Sequence, residues 1–200
     1  MAKQLIVSIG REYGSGGHRI GEIIAEKLQL PLYDRSLLRE IAGIKKVDAE
    51  NLEKYDEIPR NRLFSRTVRG YNYSPEENIA RMQFDYLHEL AEKGESFVII
   101  GRCAESVLSE YDALIPIFVV ADIDYRIATV MERDGINEST AEIRVKRVDH
   151  HRKEYHNYYC SGKWGDCRNY DITINSGRLG EEGTAEYLTD YLKKRAQIEE

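Results

Sequence analysis

A run of glycines near the start of the chain is the sequence feature that most directly predicts chemistry. An apolar segment ends at Gly10, and a helical pattern begins at about His18. Between them lie Gly14, Gly16 and Gly17. Glycines allow successive backbone N–H groups to point into one concavity, and a helix N-terminus adds a positive dipole end. A tight turn could use glycine for its dihedral angles alone. Because one turn rarely needs four glycines, we predict a phosphate-binding cradle.

The predicted cradle lacks the cation that a P-loop usually carries. The pattern G-x-x-x-x-G-K-[ST] supplies a lysine for the β- and γ-phosphates and a hydroxyl for Mg²⁺. Gly17 stands at the lysine position and His18 at the hydroxyl position. Arg11 is the nearest replacement within the loop, and Arg19 or an arginine from a lid are the alternatives. The residues predicted to contact the phosphates are Gly14, Ser15, Gly16, Gly17, His18 and Arg19.

Three groups of basic residues could neutralise the charge on a transferred phosphoryl group. Arginine suits this work because its planar fork meets phosphate oxygens in pairs and stays charged. Arg102 follows a predicted strand, at the end where ligands bind in open parallel sheets. The other groups are Arg60, Arg62, Arg66 and Arg69, and Arg144, Lys146, Arg147, Arg152 and Lys153. Either run could instead be a solvated helix face, and in the second we expect one or two residues to contact phosphate.

Two acidic residues lie close to the predicted cradle. Asp34 ends the second predicted strand, where it could hold a sugar hydroxyl, a nucleobase or a magnesium-bound water. It could equally cap a helix over Ser36–Ile41. Glu12 lies inside the glycine-rich loop, an unusual place for an acid beside phosphates. It could pair with an arginine of a lid or help to coordinate a metal, and both interpretations stay open.

The cysteines and histidines predict neither disulfides nor a metal site. The chain has three cysteines, an odd count without diagnostic spacing, which favours a reducing, cytoplasmic setting. His151 and His156 form an H-x₄-H pair, and Cys160 and Cys167 follow it. No C-x₂-C accompanies the pair, and the cysteines fall at no standard ligand spacing. We therefore predict no metal ligands.

Alternating strands and helices are predicted to position these residues. Five short apolar segments are typical of strands buried on both faces: Leu5–Ile9, Pro31–Tyr33, Phe97–Ile100, Ile115–Val120 and Tyr170–Ile174. Helical periodicity between them predicts an α/β fold with a parallel sheet and right-handed crossovers. Residues 45–74 and 134–169 are connections too long for simple crossovers, which favours binding insertions or lids. No linker divides residues 1–200, so we predict a single domain.

Composition excludes several classes of protein. The 200 residues are 42% hydrophobic and 32% charged, as in ordinary globular proteins. A net charge of −6 argues against a general nucleic-acid-binding protein. The longest apolar stretch, Ala113–Ala121, is far shorter than the roughly 20 residues that span a bilayer. The first ten residues read as a buried strand rather than a signal peptide, so we expect no membrane association.

Five short segments, spread over nearly the whole chain, carry a resemblance to one family. They are Arg11-Glu12-Tyr13-Gly14-Ser15-Gly16-Gly17, Tyr33-Asp34-Arg35, Gly101-Arg102, Trp164-Gly165-Asp166 and Tyr170-Asp171-Ile172-Thr173-Ile174-Asn175-Ser176. Together they look like the cytidylate kinase-like family of P-loop proteins. The resemblance implies a three-layer αβα fold with a five-stranded parallel sheet. It also implies an inserted helical region at 45–74 that binds the acceptor nucleotide, and a lid at 134–169.

The resemblance implies ATP- and Mg²⁺-dependent phosphoryl transfer to a nucleoside monophosphate, cytidylate-like, or to a related small metabolite. The predicted catalytic cations are Arg11, Arg102, Arg144 and Arg147. The acceptor is predicted to contact Asp34, Arg62, Arg66, Arg69 and Arg102. The partner is thus a nucleotide substrate, and a homodimer is compatible with such folds.

Two other functions remain as alternatives. In the better-known cytidylate kinases the loop carries the lysine, and an acid precedes or follows the Gly-Arg pair. Here those positions hold Gly17, Ile100 and Cys103. A non-catalytic nucleotide sensor would explain the missing lysine. A dinucleotide-binding oxidoreductase would use Asp34 as its ribose acid, but the glycine spacing does not match its fingerprint.

Overall fold

Strands and helices alternate along the computed structural model, which describes residues 4–34, 36–45, 67–68, 71–72 and 75–197. The elements up to the centre of the chain are β1 (Ile6–Arg11), α1 (Gly17–Leu28), β2 (Leu32–Tyr33), α2 (Leu37–Lys45), β3 (Thr67–Val68), β4 (Tyr71–Asn72), α3 (Pro75–Glu92) and β5 (Phe97–Ile100). The remaining elements are α4 (Ala104–Val107), β6 (Leu114–Val120), α5 (Ile123–Asp134), α6 (Glu138–Tyr159), β7 (Ile172–Asn175) and α7 (Gly180–Ala196). Short 3₁₀ turns at Cys167–Asn169 and Ser176–Arg178 flank β7.

Five parallel strands form the central sheet in the order β2–β5–β1–β6–β7. The central strand β1 places Ile9 opposite Ile100 on one side and Ile117 on the other. The pairing of β1 with β6 continues to Arg11, two residues beyond the predicted end of the strand. The carboxyl ends of all five strands meet at one edge, where ligands bind in open parallel sheets. This edge brings the glycine-rich loop close to the residues that follow β2 and β5.

Helices cover both faces of the sheet and bury a core on each. On one face, α1 and α7 place residues such as Ile20, Ile24 and Leu188 against β1, β5 and β6. On the other face, α2, α3 and α4 cover the strands, with Leu37 and Leu87 fully buried. Each such side chain stabilises the fold by about 1.5–3 kcal/mol through burial. The predicted three-layer fold with a five-stranded parallel sheet is confirmed.

The two long connections differ in how much of them the structure describes. In residues 45–74 it describes Lys45 and the antiparallel pair β3–β4. The predicted acceptor-binding arginines Arg62, Arg66 and Arg69 lie outside the described residues. Residues 134–169 are mostly the single helix α6. The roles of these segments as insertion and lid stay predictions. Among the described helices, none is both long and apolar enough to cross a bilayer.

Candidate active site

The glycine-rich loop opens onto a cleft of about 720 Å³ at the carboxyl edge of the sheet. The cations and histidine that line this cleft are Arg11, His18, Arg19, Arg102, Arg133 and Arg152. The acids that line it are Glu12, Asp34, Glu132 and Glu181. The fold thus brings together side chains from six separate parts of the chain. Most of the predicted site residues that the structure describes lie in this one cleft.

The backbone amides of the loop fall into two groups. The amide of Glu12 donates to the Val119 carbonyl at 3.0 Å, and that of Tyr13 donates to Asp149 Oδ1 at 2.7 Å. The amide of Ser15 donates to the Glu12 carbonyl at 3.4 Å. Within the described part of the chain, no hydrogen bond is donated by the amides of Gly14, Gly16, Gly17, His18 or Arg19. The first turn of a helix has no internal acceptors, so these donors suit an anion.

Two glycines of the loop adopt backbone conformations that disfavour any side chain. Gly14 has φ 83° and Gly16 has φ 74°, both in the left-handed region. A Cβ on Gly14 would lie 2.7 Å from the carbonyl oxygen of Arg126, and one on Gly16 would lie 2.5 Å from Glu181 Oε1. The turn itself therefore requires these two glycines. The unbonded amides are the additional feature that an anion cradle needs.

Arg11 occupies the space where a side chain at position 17 would begin. A Cβ on Gly17 would lie 2.6 Å from the Cβ of Arg11 and 3.4 Å from that of Val119. A lysine at position 17 is therefore incompatible with Arg11 as it stands. Because Arg11 also lines the cleft, the loop has an arginine stem where a P-loop has its lysine stem.

Ser15 and Asp34 make hydrogen bonds that hold the loop and the residues beside it in place. The Ser15 hydroxyl is buried and donates to the carbonyls of Glu12 at 2.9 Å and Val119 at 3.2 Å. Asp34 Oδ2 lies 2.8 Å from His18 Nε2, while its Oδ1 accepts from the Ser36 amide at 2.7 Å. Asp34 thus both caps the following turn and faces the cleft. Burial acts to raise the pKa of Asp34, but hydrogen bonds from His18 and Ser36 outweigh it and lower that pKa.

Arg102 lies in a strained turn between β5 and α4. Its φ is 60°, and its neighbours Gly101 and Cys103 have φ of 74° and 55°. A left-handed conformation costs an ordinary residue roughly 1–2 kcal/mol. Backbone strain of this kind is characteristic of functional sites. The turn holds the arginine with only 2% of its surface exposed, while its side chain still lines the cleft.

A network of charged side chains ties the loop to α5 and α6. Arg126, near the start of α5, pairs with Asp149 of α6 at 2.5 Å and with Glu12 at 3.5 Å. Asp149 also accepts from the Tyr13 amide, and Glu12 Oε2 accepts from the Ala121 amide. Burial raises the pKa of Glu12, against the opposing effect of Arg126. The arginine that pairs with Glu12 therefore comes from outside residues 134–169, and the sequence contained no local signal for it.

Removing Arg126 is expected to destabilise the fold. The Arg126→Ala variant leaves Asp149 and Glu12 without their buried cation, which we expect to cost about 3 kcal/mol. The melting temperature should fall by roughly 6–12 °C. Arg168→Ala is the control, because its pair with Asp166 is exposed to solvent. Calorimetry that finds equal melting temperatures for the two variants would contradict this role for Arg126.

The arginines of α6 divide between the cleft and the outer surface. Arg144 pairs with Asp134 at 2.5 Å, and Arg147 is exposed. Neither is among the residues that line the cleft. Arg152 does line it, and its guanidinium lies 5.6 Å from the centre of the Tyr13 ring. Of the five basic residues predicted as a group in this segment, the one at position 152 reaches the cleft, because it lies two helical turns further along α6 than Arg144.

Arg133 is a cleft residue that the sequence did not indicate. It extends from the last turn of α5, and its guanidinium lies 5.0 Å from the centre of the Tyr13 ring. Its Nη2 also donates to the Tyr13 hydroxyl. Tyr13 therefore lies against two cations, Arg133 and Arg152, that come from different helices. The cationic side chains that α5 and α6 contribute to the cleft are these two, in place of Arg144 and Arg147.

The ion pair between Arg144 and Asp134 is expected to make the free energy of unfolding depend on pH. Hydrogen bonds from Arg133 and Arg144, against the effect of burial, lower the pKa of Asp134 from 3.8 to about 2. A carboxyl whose pKa is lowered by folding stabilises the fold above its unfolded value, and this effect is lost as the pH falls through the folded value. Asp134→Asn should therefore cost roughly 0.5 kcal/mol at pH 7, with the difference shrinking as the pH falls from about 4 through about 2. Urea unfolding at several pH values measures this, with exposed Asp112→Asn as the control; a difference at pH 2 as large as that at pH 7 contradicts it.

Comparisons with known proteins agree with this architecture. The sequence model of the cytidylate kinase-like family matches residues 6–178. A cytidylate kinase from Archaeoglobus fulgidus is 25% identical over 186 residues, 91% of each chain. The crystal structure of an uncharacterized protein from Eubacterium ventriosum is 37% identical, with a TM-score of 0.76 over 95% of this chain and 99% of that one.

More distant structures share the fold alone. Shikimate kinase from Bacteroides thetaiotaomicron is 14% identical, with a TM-score of 0.56 over 97% of this chain and 99% of its own. The likeness agrees with the five-stranded parallel sheet and its covering helices. The match to the family covers most of the chain, including the glycine-rich loop, Arg102 and the strand that ends the sheet. The chain belongs to the cytidylate kinase-like family.

Proposed function

We propose that this protein transfers the γ-phosphoryl group of ATP to a nucleoside monophosphate of the cytidylate type. One observation carries the proposal: unbonded amides at the start of α1 and six cationic or histidine side chains share one cleft. Phosphoryl transfer needs positioning and positive charge more than covalent chemistry from the protein. Membership of the family supports this reaction class, and the similarity to an archaeal cytidylate kinase supports the acceptor class.

In the proposed mechanism the loop amides bind the phosphates of ATP. The amides of Gly14, Gly16 and Gly17 would donate to phosphate oxygens, helped by the dipole of α1. Arg11 would supply the charge that a P-loop lysine supplies elsewhere, because its side chain takes the space beside Gly17. Its planar guanidinium can contact two phosphate oxygens at once. ATP would thus be oriented before the acceptor arrives, which lowers the entropic part of the barrier.

Three further arginines would stabilise the transferred group. Arg102 is held by its strained turn on the sheet side of the cleft, where it can contact phosphoryl and acceptor oxygens. Arg133 and Arg152 line the same cleft beside Tyr13. Charge that spreads over the equatorial oxygens in the transition state is stabilised by fixed cations of this kind. Movement of α5 and α6 towards the loop would exclude water and limit hydrolysis of ATP.

The cleft also offers oxygen ligands of the kind that Mg²⁺ prefers. The carboxylates of Asp34, Glu132 and Glu181 line it together with the loop. Mg²⁺ in phosphoryl-transfer sites is held by one or two carboxylates, phosphate oxygens and water. Asp34 would be the main protein ligand, directly or through water, since the hydroxyl position of the loop is taken by His18. When bound with ATP, Mg²⁺ neutralises phosphate charge.

A product assay tests the proposal directly. The purified protein is incubated with ATP and Mg²⁺ and, in parallel, with CMP, UMP, dCMP, AMP or GMP, and products are separated by chromatography. We expect ADP and the corresponding nucleoside diphosphate, with the cytidine nucleotides as the best acceptors. Saturable ATP binding with no diphosphate product from any acceptor would contradict the proposal and favour the sensor alternative.

A further inference from the structure

A second group of ionisable side chains lies beneath the cleft, where the turn after β5 meets the end of α6. Glu105, His156 and Cys160 place one carboxylate oxygen, one ring nitrogen and one sulfur within 4.8 Å of one another. The side chains of Glu105 and His156 are only 4% and 7% exposed. His156 Nε2 lies 2.5 Å from Glu105 Oε1. None of these three residues has a part in the proposed phosphoryl transfer.

Cys103 adds a fourth donor to this group. It is 4% exposed, and its thiol hydrogen-bonds to Cys160 within the same apolar cluster as Tyr155. The four residues form two short pairs, Cys103-x-Glu105 before and within α4, and His156-x₃-Cys160 one helical turn apart at the end of α6. A cavity of about 30 Å³ adjoins Cys103, Glu105 and His156, which is enough room for at least one water-sized guest.

The chemistry of this group matches one class of ligand. Two sulfurs, one imidazole nitrogen and one carboxylate oxygen form a donor set for Zn²⁺, whereas Mg²⁺ and Ca²⁺ prefer oxygen alone. Zinc bonds of about 2.0–2.3 Å put the ligand atoms of a tetrahedral site roughly 3.3–3.8 Å apart. The ligand atoms of Glu105, His156 and Cys160 lie within 4.8 Å of one another. This distance is about 1 Å longer than in a tetrahedral site, and side-chain rotation can close the gap. In the structure these buried groups are partners of one another, and a metal would replace those hydrogen bonds with bonds to one ion.

We propose that Cys103, Glu105, His156 and Cys160 form a structural site for one Zn²⁺ ion. On binding, the two thiols release their protons. The proton between His156 Nε2 and Glu105 Oε1 moves to the other ring nitrogen or to solvent, and each of these two atoms then bonds the metal. The site would join the end of α6 to the turn that holds Arg102. Because Arg152 lies one helical turn before His156, the metal would also fix the wall of the cleft that carries this arginine.

Cobalt binding tests the site with a signal that only sulfur ligation produces. The chain is treated with a chelator under reducing conditions, freed of the chelator, and titrated with Co²⁺ in the absence of nucleotide. Thiolate ligation gives an intense charge-transfer band, which binding at carboxylates of the cleft does not. We expect one equivalent of Co²⁺ per chain, displaced by Zn²⁺. The matched control is Cys167→Ser, because Cys167 is exposed and lies outside the group.

The variants Cys160→Ser and Glu105→Gln separate the proposal from a purely structural hydrogen-bond network. Loss of a ligand should weaken Zn²⁺ affinity by more than the roughly 10–100-fold typical of outer-shell changes. Cys167→Ser should bind as the parent does. Glu105→Gln keeps the volume and a hydrogen bond to His156, so it is expected to fold, and circular dichroism checks this. In the Cys167→Ser background, Zn²⁺ should also protect the remaining two thiols from alkylation.

Three results would overturn the zinc site. The first is a reduced parent chain that gives no charge-transfer band at saturating Co²⁺. The second is a folded Cys160→Ser variant with unchanged Zn²⁺ affinity. The third is formation of a disulfide between Cys103 and Cys160 in a chain that takes up no metal when reduced. Because the titration contains no nucleotide, each result leaves the proposed phosphoryl transfer untouched.

Discussion

Arg11→Ala is expected to lower kcat for phosphoryl transfer by about 10³-fold. A fixed cation or hydrogen-bond donor aimed at developing charge typically contributes 10²–10³-fold, and an arginine on the transferred phosphoryl group 10³–10⁵-fold. Arg11 is proposed to supply this charge because its stem fills the space beside Gly17. Steady-state kinetics with saturating ATP and CMP measure the effect. The KM for ATP should rise less than kcat falls, since the loop amides remain.

An exchange of two residues tests whether Arg11 does the work of the missing lysine. Gly17→Lys alone should fold poorly, because a Cβ there lies 2.6 Å from that of Arg11. Arg11→Gly combined with Gly17→Lys removes the clash and places a lysine at the usual P-loop position. We expect the double variant to recover at least tenfold of the activity lost in Arg11→Ala. A folded Arg11→Ala variant with parental kcat would contradict the role of Arg11.

Gly16→Val is expected to abolish the protection that ATP and Mg²⁺ give against heat. The new side chain would project into the loop beside Glu181 Oε1. At a hundredfold excess over its dissociation constant, a ligand stabilises its protein by about 2.7 kcal/mol, or roughly 5–10 °C in melting temperature here. We expect this shift in the parent and none in the variant, as measured by differential scanning fluorimetry.

Gly94→Val provides a matched control for backbone strain. Gly94 has φ 75°, close to the 74° of Gly16, but a Cβ there meets no atom within 4 Å. It follows α3, far from the loop in sequence, and both variants should lose stability through backbone strain. Gly94→Val should nevertheless keep the full shift with ATP. If Gly16→Val is protected as well as Gly94→Val, the phosphates bind elsewhere.

Local patterns in the sequence predict most of the fold. The five sheet strands are apolar runs rich in β-branched residues, and each begins or ends within two residues of its predicted bound. The observed bounds of a strand differ from the predicted ones where pairing with another strand or side-chain packing sets them. β1 continues to Arg11 because β6 offers partners that far, and Tyr170 precedes β7 because its ring packs on Phe118, with the ring centres 4.9 Å apart. Neither interaction is visible in the local sequence.

The candidate site is predictable where its residues follow strands of the parallel sheet, and hidden where their position depends on how the helices pack. The glycine-rich loop, Asp34 and Arg102 follow strands, so the rule for parallel sheets brings them to one edge. Arg126 and Asp149 are ordinary charged residues of two helices, and their pairing depends on how α5 and α6 pack. The choice of Arg152 over Arg144 likewise depends on the direction of α6.

Backbone amide NMR tests the central claim, that unbonded amides of the glycine-rich loop bind the phosphates of ATP. The protein labelled with ¹⁵N is titrated with Mg²⁺ and a non-hydrolysable ATP analogue. We predict that the largest shift changes fall on the amides of Gly14, Gly16, Gly17, His18 and Arg19, while those of α3 stay unchanged. Saturation by the analogue with these loop amides unperturbed would contradict the claim.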